Sequence, residues 1–118
     1  MVGTLVGSPV QLHPNGAATR EPSNGYPADA WQVSEAILTA SSRHGGERHL
    51  DADEVVYLIS GAASVELSHR DGDGEVVALH PGEAFVVPHG TWHRILVDGE
   101  SRLLFAGSGR TEVRPRAN

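Results

Sequence analysis

The apolar positions of the chain divide it near Trp31. Residues 13 to 30, HPNGAATREPSNGYPADA, are dense in Pro, Gly, Asn, Ser and Ala and show no apolar period, so they predict an irregular arm laid over a domain. From Trp31 onward the pattern changes to short runs of β-branched and aliphatic residues: WQVSEAILTA, EVVYLIS, ASVELSH, EVVAL, AFVVP, WHRILV and RLLFA. None keeps a 3.6-residue period, so the chain is predicted to be all-β, with an N-terminal arm over 1–30 and a β domain over 31–118. Turn chemistry separates the runs, and RDGDG at 70–74, HPGE at 80–83 and DGE at 98–100 each predict a hairpin. A spacing of roughly ten residues per strand suggests a sandwich, a jelly roll or a small barrel.

Composition narrows the class without changing that picture. At 118 residues the chain has room for one core. A formal net charge of −6 and nine scattered Lys plus Arg offer no basic field, which argues against nucleic acid as partner. There is no cysteine and no basic-then-apolar leader or membrane-length apolar run, so a soluble, cytoplasmic protein with no membrane partner is expected. The run EVVYLIS is apolar on both faces, and its second face therefore needs a cover, either the arm or a second subunit; a homodimer packed on this sheet is the expectation.

Chemistry concentrates in two places. Glu47 and His49, two residues apart in GERHLDADE, leave the same face of an extended segment, and Glu54 opens the strand EVVYLIS. His93 shares the parity of Ile95 and Val97 and points inward if that apolar set does. Two neutral imidazoles and two carboxylates make four N and O ligands whose summed charge balances a divalent cation. The bland alternative is a hydrogen-bonded Glu and His network without metal, in which burial raises at least one carboxyl pKa or pairs it with a histidinium.

These residues carry a resemblance to the cupin superfamily, in particular to its small single-domain members. ERHLDADEVVYLISG sets His49, four residues, Glu54, six residues and Gly61, as the first cupin motif does. GEAFVVPHGTWH sets Gly82, five residues, and then Pro88, Gly90 and His93, as the second does. Three positions depart from the family pattern: Glu47 stands where its first histidine would be, Val97 where its asparagine would be, and position 41 is Ser rather than Gly. The resemblance implies a double-stranded β-helix, or jelly-roll, barrel. It also implies a divalent metal, Fe, Mn, Ni or Zn, held by Glu47, His49, Glu54 and His93.

The function expected from this resemblance is a metal-dependent cupin acting on a small organic acid or carbonyl compound, by oxygenase, isomerase, lyase or cyclase chemistry that the fold does not select among. The alternative is a non-enzymatic cupin that binds a small molecule without metal. Other residues carry less. His44 could approach the site in place of Glu47, and His80 and His89 belong to turns. Trp31 and Trp92 are expected to pack, and Tyr57 faces away from Glu54 by parity. DGDG at 71–74 lacks the ligand spacing of a calcium loop, and GSGR at 107–110 lacks the lysine of a phosphate loop.

Overall fold

A computed structural model describes residues 2–68 and 74–116. Its strands are β1 (Val10–Leu12), β2 (Ala18–Thr19), β3 (Trp31–Leu38), β4 (Gly46–His49), β5 (Glu54–Ser60), β6 (Ala63–Ser68), β7 (Glu75–Leu79), β8 (Ala84–Val87), β9 (Trp92–Val97), β10 (Ser101–Gly107) and β11 (Thr111–Arg114). A six-stranded sheet runs β2-β1-β3-β10-β5-β8 and a five-stranded sheet runs β11-β4-β9-β6-β7. Each pairing between these named strands is antiparallel, and an isolated parallel bridge joins Val6 to Glu35. The fold is the expected all-β jelly roll, and all seven predicted strands are present. Among the described residues no helix is long and apolar enough to cross a membrane.

Parity explains which side chains enter the interior. Along β5, Glu54, Val56 and Leu58 are buried while Val55 and Tyr57 are half-buried, so Tyr57 does face away from Glu54. Ala63, Val65 and Leu67 of β6 and His93 and Ile95 of β9 repeat the alternation. With Leu79, Val87 and Leu103 these aliphatic residues form one core, in which each buried Val, Leu or Ile contributes about 1.5–3 kcal/mol by leaving water.

The turns differ from expectation in an instructive way. HPGE closes on a bond from the Glu83 N–H to the His80 carbonyl, yet it joins β7 of one sheet to β8 of the other. DGE likewise carries the chain from β9 across to β10. Neither is a hairpin, because local turn chemistry does not report whether the next strand pairs or crosses to the opposite sheet. The RDGDG turn lies outside the described residues except for Gly74, although β6 and β7 on either side of it do pair. The β5–β6 turn needs Gly61, whose φ is +97°; an added Cβ there would collide with the Glu100 carbonyl and Ser101.

The arm is partly ordered as sheet. β1 pairs with both β2 and β3, so the arm extends an edge of the six-stranded sheet. It does not lie over the outer face of β5, where Ile59 and, on neighbouring β8, Val86 remain exposed.

Candidate metal centre

The two sheets meet at a cluster of four ionisable side chains. β4 supplies Glu47 and His49, and β9, whose His93 stands opposite Glu47, lies beside it. Glu54 comes from the other sheet as the first residue of β5. The Pro88–Gly90 turn sets up β9: Thr91 N–H bonds to the Pro88 carbonyl and Gly90 N–H to the His49 carbonyl, tying that turn to the end of β4. Gly90, at φ +81°, permits the reversal that lets Trp92 point out and His93 point in.

One ligand atom from each of Glu47, His49, Glu54 and His93 lies within 4.8 Å of the other three. His49 Nε2 is 3.1 Å from Glu54 Oε2, His93 Nε2 is 3.1 Å from Glu54 Oε1, and Glu47 Oε1 is 3.7 Å from both ring nitrogens. His49, Glu54 and His93 are buried and Glu47 is half-buried.

Hydrogen bonds behind the imidazoles fix their orientation. His93 Nδ1 lies 3.0 Å from the Thr91 carbonyl, to which it can only donate, so in the neutral ring Nε2 carries a lone pair toward the cluster. His49 Nδ1 meets the Thr111 hydroxyl at 2.9 Å. Its Nε2 is buried without a hydrogen-bond partner, because Glu54 Oε2 lies close but off the line of a bond. Glu54 is held instead by His93 and by the hydroxyl of Tyr26, 2.5 Å from Oε2.

The charges follow this geometry. Burial by itself would raise the Glu54 carboxyl, but the imidazoles of His49 and His93 and the Tyr26 phenol hold it down at about 2. For His93 burial pulls downward, and the Glu54 bond, the Thr91 carbonyl and the Glu54 and Glu47 charges outweigh it, so the ring is more basic than usual. Burial, then the Glu54 charge, raises the Tyr26 phenol, which therefore stays a donor.

The residues fit a metal ion. A buried ring nitrogen without a proton partner beside three further acceptor-bearing groups is an arrangement that a cation satisfies. Metal–ligand bonds of about 2.0–2.2 Å put neighbouring ligand atoms about 3.0–3.5 Å apart. The separations of 3.1 and 3.7 Å lie near that range, and the four ligand atoms, all within 4.8 Å of one another, would draw together around an ion.

An open cavity of about 810 Å³ leads to the cluster, and Glu47, His49 and Glu54 form part of its wall. The arm supplies another part through Leu5, Pro9 and Tyr26. No Lys or Arg is among the described residues that line it.

The remaining sequence candidates lie outside. His44 Nε2 reaches no nearer than 4.0 Å to Glu47 and its Nδ1 accepts from Gly46 N–H. His80 pairs with Glu83 and His89 with Asp53, all exposed. Trp31 is 42% exposed rather than packed, and the guanidinium groups of Arg48 and Arg114 lie over the Trp92 ring, 4.8 and 4.6 Å from its centre. Sequence reasoning missed Tyr26, because it lies in a segment without any period; a tyrosine isolated between Gly25 and Pro27 was the available signal.

Comparisons with known proteins agree with this architecture. The family model described as "Cupin domain" matches residues 37–107. A cupin-2 domain containing protein from Shewanella frigidimarina superposes with a TM-score of 0.57 at 22% identity, over 66% of this chain and 70% of that one. A Neisseria meningitidis protein gives 0.54 at 23%, over 73% and 79%. A variant of Bacillus subtilis oxalate decarboxylase gives 0.53 at 22%, over 67% of this chain but 21% of its own. No curated protein matches in sequence.

Proposed function

The chain belongs to the cupin domain family, matched over residues 37–107, and from that premise we propose that Glu47, His49, Glu54 and His93 hold one divalent ion of Fe, Mn, Ni or Zn beside a cavity where a small organic molecule is transformed. The observation that carries this reading is the buried, unpartnered Nε2 of His49 within a cluster of acceptors. A bound ion would supply Lewis-acid polarisation or, if iron, oxygen activation. The chain's own part is to orient the imidazoles through Thr91 and Thr111 and to wall the cavity. Glu35, Glu47 and Glu54 line that cavity, Glu35 being paired with Arg102 at 3.2 Å, and no Lys or Arg is among the described residues that line it. Both substrate classes, a small organic acid and a carbonyl compound, suit this lining, because the bound ion would itself be the cation that meets the substrate oxygen.

A metal-free small-molecule binder is the second reading, favoured by the self-consistent network in which His93 and Tyr26 satisfy both oxygens of Glu54. Metal content by plasma mass spectrometry, for the wild type, His93→Ala and Glu47→Ala, separates the two. The metal reading expects near-stoichiometric metal in the wild type and loss in His93→Ala. Substoichiometric metal in the wild type, unchanged in both variants after reconstitution with Fe, Mn, Ni and Zn, would sink it. Retention in Glu47→Ala alone would place Glu47 outside the ligand set.

A second copy of this chain is the cover we assign to the outer face of β5 and β8, since the arm extends an edge and leaves Ile59 and Val86 exposed. Light scattering at micromolar concentration should give twice the chain mass; a monomer removes the assignment.

A further inference from the structure

Tyr26 is the contact by which the arm enters the metal centre, and its placement is built rather than incidental. The Pro27 carbonyl accepts from Gly109 N–H at 2.7 Å, and the Ala30 carbonyl accepts from the Ser108 hydroxyl at 2.7 Å, which fastens the arm to the turn between β10 and β11. The Tyr26 ring rests against Gly107, where any Cβ would occupy the ring's own position. On its other side the ring lies 5.2 Å from that of His49, tilted by 55°. The phenol thus reaches Glu54 Oε2 with little freedom to reach anything else.

That contact bears on how Glu54 can present itself. When the Nε2 atoms of His49 and His93 face a metal ion their lone pairs are committed and neither can donate to Glu54. Among the described residues the Tyr26 hydroxyl is then the donor left on that carboxylate. We propose that Tyr26 is a positioning residue which reserves Oε2 of Glu54, so that Glu54 offers the metal centre one oxygen, Oε1, and which couples the arm to that same carboxylate. This inference rests on the metal reading for its first half; the coupling of the arm does not.

The test compares the wild type with Tyr26→Phe, which keeps the ring against Gly107 and His49 and removes the hydroxyl alone. Metal-free samples are read by amide hydrogen exchange at Gly109, whose N–H fastens the arm through the Pro27 carbonyl. Loss of a charge-assisted hydrogen bond should speed that exchange about tenfold or more. Both proteins are then loaded with cobalt(II) and their visible absorption recorded. The variant should take up the same amount of cobalt, with bands weakened about twofold or more as the second oxygen of Glu54 joins and coordination number rises. If the wild type takes up cobalt and the variant's spectrum is identical, the positioning role is overturned. A wild type that takes up none sinks the metal reading instead, and exchange alone then decides for Tyr26: equal rates in the two proteins overturn it.

Discussion

Two ends of one interior are built from the same strands by the same alternation and yet hold together for different reasons. On β5 the buried positions run from Glu54 through Val56 to Leu58. On β9 they run from His93 to Ile95, with Leu67 of β6 opposite His93 at the boundary. One end is closed by Leu58, Val65, Leu79 and Leu103 and owes its stability to removal of apolar surface, which neither pH nor solute alters much. The other end buries Glu54, His49 and His93, and its stability depends on where the protons are, or on a cation. The pleat decides that a side chain is inside. What that side chain then demands is a matter of its chemistry.

The sharpest way to separate the ends is to damage the apolar one. Leu58 is fully buried, and Leu58→Ala should cost about 2–5 kcal/mol in urea denaturation, through lost transfer energy and the cavity left behind. The loss should be the same size in metal-free and metal-treated protein. A loss that depends on added metal would mean the ends are not independent.

At the polar end the corresponding lever is pH. Glu54 is lowered in the folded chain from 4.5, so its contribution is complete above 4.5 and disappears as pH falls through its folded value near 2. His93 is raised from 6.5, so its contribution is complete below 6.5 and disappears as pH rises through the folded value. Both are in full force between 4.5 and 6.5, and metal-free protein should melt highest there, with decline on either side. Calorimetric scans at pH 3, 5.5 and 8.5 measure this. Equal melting temperatures at pH 5.5 and 8.5 would remove the His93–Glu54 pair as a source of stability.

A smaller effect sharpens the contrast from the apolar side. Ser101 is fully buried there, but its hydroxyl accepts from Ala62 N–H and donates to the Ala62 carbonyl, so it needs neither proton nor ion. Ser101→Ala leaves a backbone donor unpaired and should cost about 1–3 kcal/mol at every pH, as read by the same scans. A cost that varied with pH would show that Ser101 is linked to the charged end.

How much of this was legible in the sequence follows the same division. β3 and β5 to β10 announced themselves through runs of β-branched and aliphatic residues, and the shared face of Glu47 and His49 followed from parity. β4 and β11, GERH and TEVR, carry too few apolar residues to show an alternation, and β1 and β2 are too short to establish one. The crossings at HPGE and DGE were hidden because a turn has the same local chemistry whether or not its strands pair. Tyr26 was hidden for another reason: its bond to Glu54 spans 28 residues and starts from a segment with no period to read.

The mildest prediction tests where the polar end stops. His89 lies between the β8 strand and His93, and in sequence terms it is as close to the centre as any histidine in the turn. Its backbone N–H and its Nδ1 both meet Asp53 Oδ1, at 2.9 and 2.7 Å, and both side chains face solvent. Exposed ion pairs contribute little, because water screens the attraction and ordering two side chains opposes it. His89→Ala should therefore leave metal content and melting temperature unchanged in mass spectrometry and calorimetry. A fall in metal content would extend the centre outward along the Asp53–Glu54 segment, since the substitution would then be acting through Asp53 on the placement of Glu54. An unchanged value confines the chemistry to the buried side of the turn, where His93, four residues further along, has crossed the sheet surface and His89 has not.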